Sequence, residues 1–464
     1  MALSSARRER LTAAGQGHAL ARLDALPAAR RARLEAELER LDLTLLAKLH
    51  ALTEQAPTVG SDFEPPDVFP LERDAENEER ARAAERHGQE LLRAGKVGYV
   101  LVAGGQASRL GYDAPKGAFP IGPVTERTLF AYHAQRLLAA QARYGRSTPW
   151  YIMTSPANDA DTRTIFADNA HFGLDPSDVF FFSQDTLPAL DPSGRVLFAD
   201  EDQLFSAPNG HGGCLIALSS SGAIDDMRAR GIEQLSYFQV DNPLVRPADP
   251  LFIGLHAQAG AGMSTKVVAK RDADERVGVI GRIDGAMGCI EYSDLPEDKR
   301  HAPDATGALR FRAGNIAVHV LAIDFLADVV QGELRLPWHV AKKRMAVLGD
   351  DGRTQEVDGF KFEAFVFDAL ASSPISVTLE VDRALEFSPV KNGDGEDSPA
   401  TSRAALARMF ADWVGAAGGV LPAPGEEGFP PVEVDPRYAD TQDEFAARGA
   451  PEPNVRPTGH VYEL

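Results

Sequence analysis

The stretch LVAGGQASRLGYDAPKGAFPIG, residues 101–122, sets two cations among glycines: Arg109 and Lys116 follow Gly104-Gly105, with further glycines at 111 and 117. The apolar run that leads into it, VGYVLVAG, reads as a buried strand. Glycine at the carboxyl end of a strand lets a ligand approach the backbone, and neighbouring cations suit an anion. The order is neither the G-x-x-x-x-G-K-[ST] of a P-loop nor the G-x-G-x-x-G of a dinucleotide fold. Taken alone, the glycine pair equally fits a surface turn with solvated Arg and Lys.

Other residues raise similar alternatives. Asp241 follows the apolar run LSYFQV and opens Asp-Asn-Pro. A carboxylate at a strand end can hold a hard cation such as Mg2+, and an Asp before Pro243 can equally start a turn. Asp272-Ala-Asp274 has the D-x-D spacing of glycosyltransferases but lies among charges in KRDADER, which reads as a solvated loop. Cys214, next to the glycine-rich GHGG string, is a candidate for thiol reagents that block a cleft.

The elements that must hold these residues are legible from composition and periodicity. A chain of 464 residues is too long for one core, so two or three domains are expected. It has no apolar run of 18 residues and no apolar leader, and it has two cysteines, Cys214 and Cys289. This pattern predicts a cytoplasmic protein without a membrane span, a disulfide framework or a thiolate zinc site. A net charge of −20 disfavours nucleic acid and anionic membrane as partners.

Residues 11–55 read as helical, with Leu34, Leu38, Leu41 and Leu45 on one apolar face. The proline-rich stretch 56–72 reads as an extended connector, and a charged helix then ends at Gly95. From 97 onward, the runs VGYVLVAG, PWYIMTS, VFFFSQ, LSYFQV and STKVVAK mostly alternate with helical patterns such as RTLFAYHAQRLLAAQARYG. This alternation predicts an α/β fold: a doubly wound, mostly parallel, Rossmann-like sheet. VGVIGRIDGAMGCIEYSD instead predicts a hairpin turned at Asp284-Gly285. A last unit begins near 375 with ISVTLEV and ends in a strand-poor, Pro/Gly-rich tail. The expected division is a helical N-terminal region at 1–95, a central domain at 96–378 and a small C-terminal domain at 379–464.

Residues 101–117 match the pattern L-x-x-G-G-x-x-[ST]-R-L-G-x-x-x-P-K-G throughout. In this the chain resembles the UDP-sugar pyrophosphorylases, most closely the UDP-N-acetylglucosamine pyrophosphorylases. The resemblance continues through FFSQDTLPAL, APNGHGG, VDNPLVRPADPLFIG, VGVIGRIDG with IEYSD, FRAGNIAVHV, GFKFEAFVFD and EFSPVKN, in order up to residue 392. It implies a GT-A-like nucleotidyltransferase sheet and transfer of uridylyl from UTP to a sugar 1-phosphate, with release of pyrophosphate. Mg2+ is the implied cofactor, and a monomer or weak homo-oligomer is expected.

The resemblance also assigns roles. Arg109 and Lys116 would grip the triphosphate, joined by Lys361, expected to open a helix KFEAFVFDAL, and by Lys391. Asp241 would hold Mg2+ and the phosphates. Uracil would lie over Ala103, Gly104 and Gly105, with Gln184 reading its edge and Gly210 allowing close approach. Gly278, Glu291 and Asn315 fall on positions that bond to sugar hydroxyls. His211 departs from the N-acetylglucosamine branch, which has Asn there, and matches the glucose and broad-specificity relatives. N-acetylglucosamine 1-phosphate is the first expectation and glucose 1-phosphate the second. A UDP-sugar sensor without catalysis and a glycosyltransferase are the readings from other classes. The first would lack the cations, and the second would carry D-x-D at a strand end.

Overall fold

The computed structural model describes residues 3–55, 62–292, 294–330, 336–425 and 428–463. The chain forms two compact units, each assembled from three separate stretches, so they run across the sequential boundaries at 95 and 378. One unit comprises Met1–Val59, Gln184–Cys214 and Leu336–Asp368; the other comprises Gly60–Ser183, Leu215–Arg335 and Ala369–Leu464.

The larger unit is built on an eleven-stranded sheet. Its main path runs Val68–Phe69, Thr378–Glu380, Met263–Ala269, Ala313–Ala322, Gln234–Gln239, Val97–Val102, Trp150–Thr154 and Val179–Ser183. Neighbours along this path are parallel except Ala313–Ala322, which runs antiparallel to both its partners. Val97–Val102 and Trp150–Thr154 are buried almost throughout, as expected of strands covered on both faces. The connecting helices begin and end on residues suited to it. Thr128 accepts from the amide of Ala131 to start Leu129–Tyr144, and Gly145 closes that helix at φ 68°. The predicted hairpin is Val279–Ile283 paired with Ala286–Ile290, and Asp284 and Gly285 both take the positive φ its tight turn needs.

Two expectations for this unit change, and a third gains detail. Thr378–Glu380, at the supposed start of a last unit, pairs in parallel with Met263–Ala269 and belongs to the central sheet. The C-terminal tail carries a three-stranded sheet, Val432–Val434, Gly459–Tyr462 and Asn454–Arg456. These strands are too short for periodicity to register. The connector at 56–72 contains the short strands Phe63–Glu64 and Val68–Phe69, with 56–61 outside the described residues.

The smaller unit opens with four helices, Ser5–Ala13, Gly17–Ala25, Ala28–Arg40 and Leu43–Thr53. Leu34 and Leu38 are fully buried, but the chain turns extended at Leu41, and Asp42 caps a new helix. Leu46 and Leu49, rather than Leu45, are the buried leucines of that helix. Arg7, itself buried, donates to the carbonyls of Leu38 and Leu41 and satisfies the end of the third helix. A long hairpin, His339–Leu348 with Thr354–Glu363, adds Phe362 to the same core as Leu11 and Phe198. Among the described residues no helix is long and apolar enough to cross a membrane.

Candidate active site

In the larger unit, the glycine loop leaves the sheet at Val102 with its carbonyls tied down. Asn158 Nδ2 donates to the carbonyls of Ala103 (2.9 Å) and Gly105 (3.3 Å), and Ser155 Oγ donates to that of Gly104 (2.8 Å). The Ser155 amide donates to Asn158 Oδ1 at 2.8 Å, which fixes the orientation of the side-chain amide. In a trans peptide the N–H points opposite the C=O, so the amides of Gly104, Gly105 and Gln106 face away from this brace. A Cβ built on Gly105 meets nothing within 4 Å, so the face above it is open. Sequence reading missed Ser155 and Asn158, because nothing in TSPAND marks which carbonyls its side chains reach.

Lys116 returns to this loop, its amide donating to the Gly105 carbonyl at 3.0 Å. Gly117 must be glycine, because a Cβ there would lie 2.2 Å from the ring of Phe130. The Lys116 ammonium lies 3.4 Å from Asp241 Oδ2, and both side chains are mostly shielded, at 19% and 13% exposure. The Val390 amide donates to the Asp241 carbonyl at 2.9 Å, which brings the Lys391 segment to the same strand end. Lys391 is exposed and lies 3.8 Å from Asp397. Arg109 is exposed on the short 3-10 turn Ser108–Leu110. The structure therefore brings Ala103, Gly104, Gly105, Lys116 and Asp241 together as one corner, with Lys391 joined through Val390.

A second cluster in this unit joins Gly278, Glu291 and Asn315. The Asn315 amide donates to the Gly278 carbonyl at 2.8 Å, and Glu291 Oε1 is 3.7 Å from where a Gly278 Cβ would stand. Asn315 Nδ2 also faces Cys289 Sγ at 3.6 Å. Asp272 and Asp274 lie in an exposed turn, with the Asp274 amide donating to Asp272, as the solvated reading expects.

The smaller unit carries the other candidates. Gln184 is buried and precedes the strand Thr186–Pro188, which pairs with Ser206–Pro208. That pairing leads to Asn209 and to Gly210 at φ 80°, whose Cβ would lie 2.4 Å from the Ala364 carbonyl. His211 accepts the Val366 amide on Nδ1 at 3.1 Å, stacks on Phe365 and meets Phe367 edge-on. Burial, with a smaller contribution from the charge of His339, pushes His211 down to about 4. The ring is thus neutral, with its proton on Nε2. His339 in turn pairs with Asp368 at 2.8 Å and packs on Phe365.

Lys361 lies in the strand Thr354–Glu363, opposite Ala341, and does not open a helix. Within the strand, Phe360 and Phe362 alternate with Lys361 and Glu363, a period of two too short to exclude a helix by itself. The Lys361 ammonium sits 5.2 Å from the centre of the Phe205 ring. Cys214 is corrected as well: it is fully buried, and desolvation drives its thiol well above the usual range, so it offers no reactive thiolate.

A mostly parallel sheet whose strand ends carry a braced glycine loop, a shielded lysine and a carboxylate defines an α/β protein of the nucleotidyltransferase class. A match to the family described as UTP–glucose-1-phosphate uridylyltransferase spans residues 63–443. The chain is 40% identical over 346 residues to UDP-N-acetylhexosamine pyrophosphorylase-like protein 1 of Xenopus tropicalis, covering 72% of this chain and 68% of that one. It is 38% identical over 349 residues to the UDP-N-acetylglucosamine pyrophosphorylase of Saccharomyces cerevisiae, covering 72% and 73%. The crystal structure of the uridine diphosphate N-acetylglucosamine pyrophosphorylase of Trypanosoma brucei in complex with an inhibitor aligns with a TM-score of 0.80. That alignment is at 28% identity and covers 97% of this chain and 95% of that one. The chain belongs to the UTP–glucose-1-phosphate uridylyltransferase family.

Proposed function

We propose that this protein joins UTP to N-acetylglucosamine 1-phosphate, forming UDP-N-acetylglucosamine and pyrophosphate. The observation that carries the reading is the Lys116–Asp241 corner on the braced glycine loop, within a family of uridylyltransferases. A sugar-phosphate oxygen attacks the α-phosphorus of UTP in line; the new P–O bond forms as the bond to the β-phosphate oxygen breaks. No covalent intermediate with the protein is needed, so positioning and charge neutralisation supply the catalysis.

In this reading the outward amides of Gly104, Gly105 and Gln106 meet the nucleotide. Lys116, Arg109 and Lys391 offset charge on the reacting phosphates as it shifts to the departing pyrophosphate. Gly278, Glu291 and Asn315 receive the sugar. His211, in the smaller unit, presents its Nε2–H as a fixed donor.

Asp241 would hold Mg2+. Among the described residues no group of three or more His, Cys, Asp or Glu side chains forms a metal cluster. A single carboxylate suits an ion that takes its remaining ligands from water and phosphate oxygens, and does not suit a protein-caged zinc or calcium. When bound, the ion supplies Lewis-acid neutralisation of the phosphates.

The names of the relatives favour N-acetylglucosamine, and His211 in place of Asn favours glucose 1-phosphate as the second reading. Pyrophosphate release from UTP and Mg2+ with a panel of sugar 1-phosphates tests both. N-acetylglucosamine 1-phosphate is expected to give the highest kcat/KM. Silence across the panel would overturn the transferase reading, and a preference for glucose 1-phosphate would select the alternative.

A further inference from the structure

The segment that carries Lys116 does not end at the glycine loop. Residues 119–128 lead from it to the helix Leu129–Tyr144, and four attachments from the far end of the chain hold them. Glu433, with no exposed surface, accepts the amides of Val124 (3.0 Å) and Thr125 (2.9 Å) on Oε2 and the Thr125 hydroxyl (2.6 Å) on Oε1. Asp435, equally buried, accepts from the Arg127 guanidinium at 2.9 Å. Thr458 Oγ1 donates to the Val124 carbonyl at 2.9 Å, and Arg403 donates to the Pro120 carbonyl at 2.8 Å.

Glu433 lies in the short strand Val432–Val434 and Asp435 directly follows it; among the described residues that strand is paired by Gly459–Tyr462, in parallel. The Asp435 amide donates to the Tyr462 carbonyl at 2.8 Å. On the other side, the Leu129 and Ile121 amides return to the carbonyls of Phe119 and Arg127, so 119–129 is a closed turn with little slack. A buried carboxylate is costly to desolvate and is retained only where its hydrogen bonds are satisfied. Glu433 has three donors, all from one turn.

We infer that Glu433, Asp435 and the closing strand Gly459–Tyr462 are positioning elements for Lys116, so that the last residues of the chain set the geometry of the phosphate corner. The inference rests on the reading of Lys116 as a phosphate-binding cation. Its consequence is specific: loosening the turn lowers turnover while the sugar-binding positions, carried elsewhere on the sheet, keep their affinity.

The test uses the full chain with Glu433→Gln, Thr125→Val and Thr125→Ser, comparing kcat, the KM of the sugar 1-phosphate, and amide hydrogen exchange across 116–125. Glu433→Gln keeps the shape but removes the charge, and with its oxygen on the two backbone amides its NH2 group reverses the bond to the Thr125 hydroxyl. It is expected to lower kcat about 10²-fold, the effect of a misplacement of about 1 Å. Thr125→Val removes the hydroxyl's bond to Glu433 and its acceptance of the Arg127 amide and is expected to lower kcat about tenfold, while Thr125→Ser restores both. In every variant the sugar 1-phosphate KM holds, and in Glu433→Gln and Thr125→Val exchange at 116–125 accelerates.

Should Glu433→Gln fail to fold, the Thr125 pair decides. Equal kcat in Thr125→Val and Thr125→Ser, or unchanged exchange at 116–125, overturns the inference. If the wild-type protein releases no pyrophosphate with any sugar phosphate, the transferase reading fails separately, and the exchange measurement still decides the clamp.

Discussion

Lys116 is a cation held 3.4 Å from a carboxylate and largely shielded from solvent, so its charge acts through a medium less screening than water. Lys116→Ala is expected to lower kcat by about 10²–10³, the usual effect of removing a preorganised donor; a loss below tenfold in pyrophosphate release would rule out contact with the transferred phosphate. His211 makes the opposite kind of prediction. Its ordinary value of 6.5 falls to about 4, so the ring stays neutral at working pH and cannot contribute an inflection near neutrality. The pH–rate profile of His211→Asn should therefore keep the wild-type shape while the ratio of N-acetylglucosamine to glucose 1-phosphate turnover changes. The thiols divide by burial. Cys214 is sealed and Cys289 is partly exposed beside Asn315, so peptide mapping after brief alkylation of the native protein should find label on Cys289 and none on Cys214.

At the scale of elements, the glycine loop is only as rigid as its brace. Asn158→Ala deletes the donor to two loop carbonyls and the acceptor for the Ser155 amide. It is expected to cost about 1–3 kcal/mol in denaturant unfolding and to raise the KM for UTP more than that for the sugar phosphate. An unchanged UTP KM would show that the loop holds its shape unaided. The strand Val97–Val102, the helix Leu129–Tyr144 and the Asp284-Gly285 hairpin were legible because period, caps and turn residues are local signals. Asn158 and Glu433 were not, since their partners lie 53 to 55 and 308 to 309 residues away. Lys361 was misplaced on a helix because the apolar residues of KFEAFVFDAL suit either period when read without the facing strand. The hairpin with His339–Leu348 decides it.

Across the whole molecule, His133, His211 and His256 each fall to about 4, in every case chiefly through desolvation, and so sit in the fold as neutral rings. An unfolded chain takes up these protons near 6.5, so between that value and 4 the unfolded state binds more protons than the folded one. The stabilisation is complete above 6.5 and is lost as pH falls through that window. At about 0.15 M salt, where surface repulsion from the net charge of −20 is screened beyond about 8 Å, the urea midpoint should drop between pH 7.5 and pH 5. A rise would mean these rings protonate without penalty. By itself, the sequence determined the α/β class, the family, the glycine loop with its two cations and the order of the motifs, because each is written in adjacent residues. Only the tertiary structure decided that the chain packs as two discontinuous units, that Lys116 faces Asp241, that Cys214 is inert and that the C-terminal strand grips the turn after Lys116. Those facts depend on burial and on hydrogen bonds between residues far apart in the chain, which no local pattern encodes.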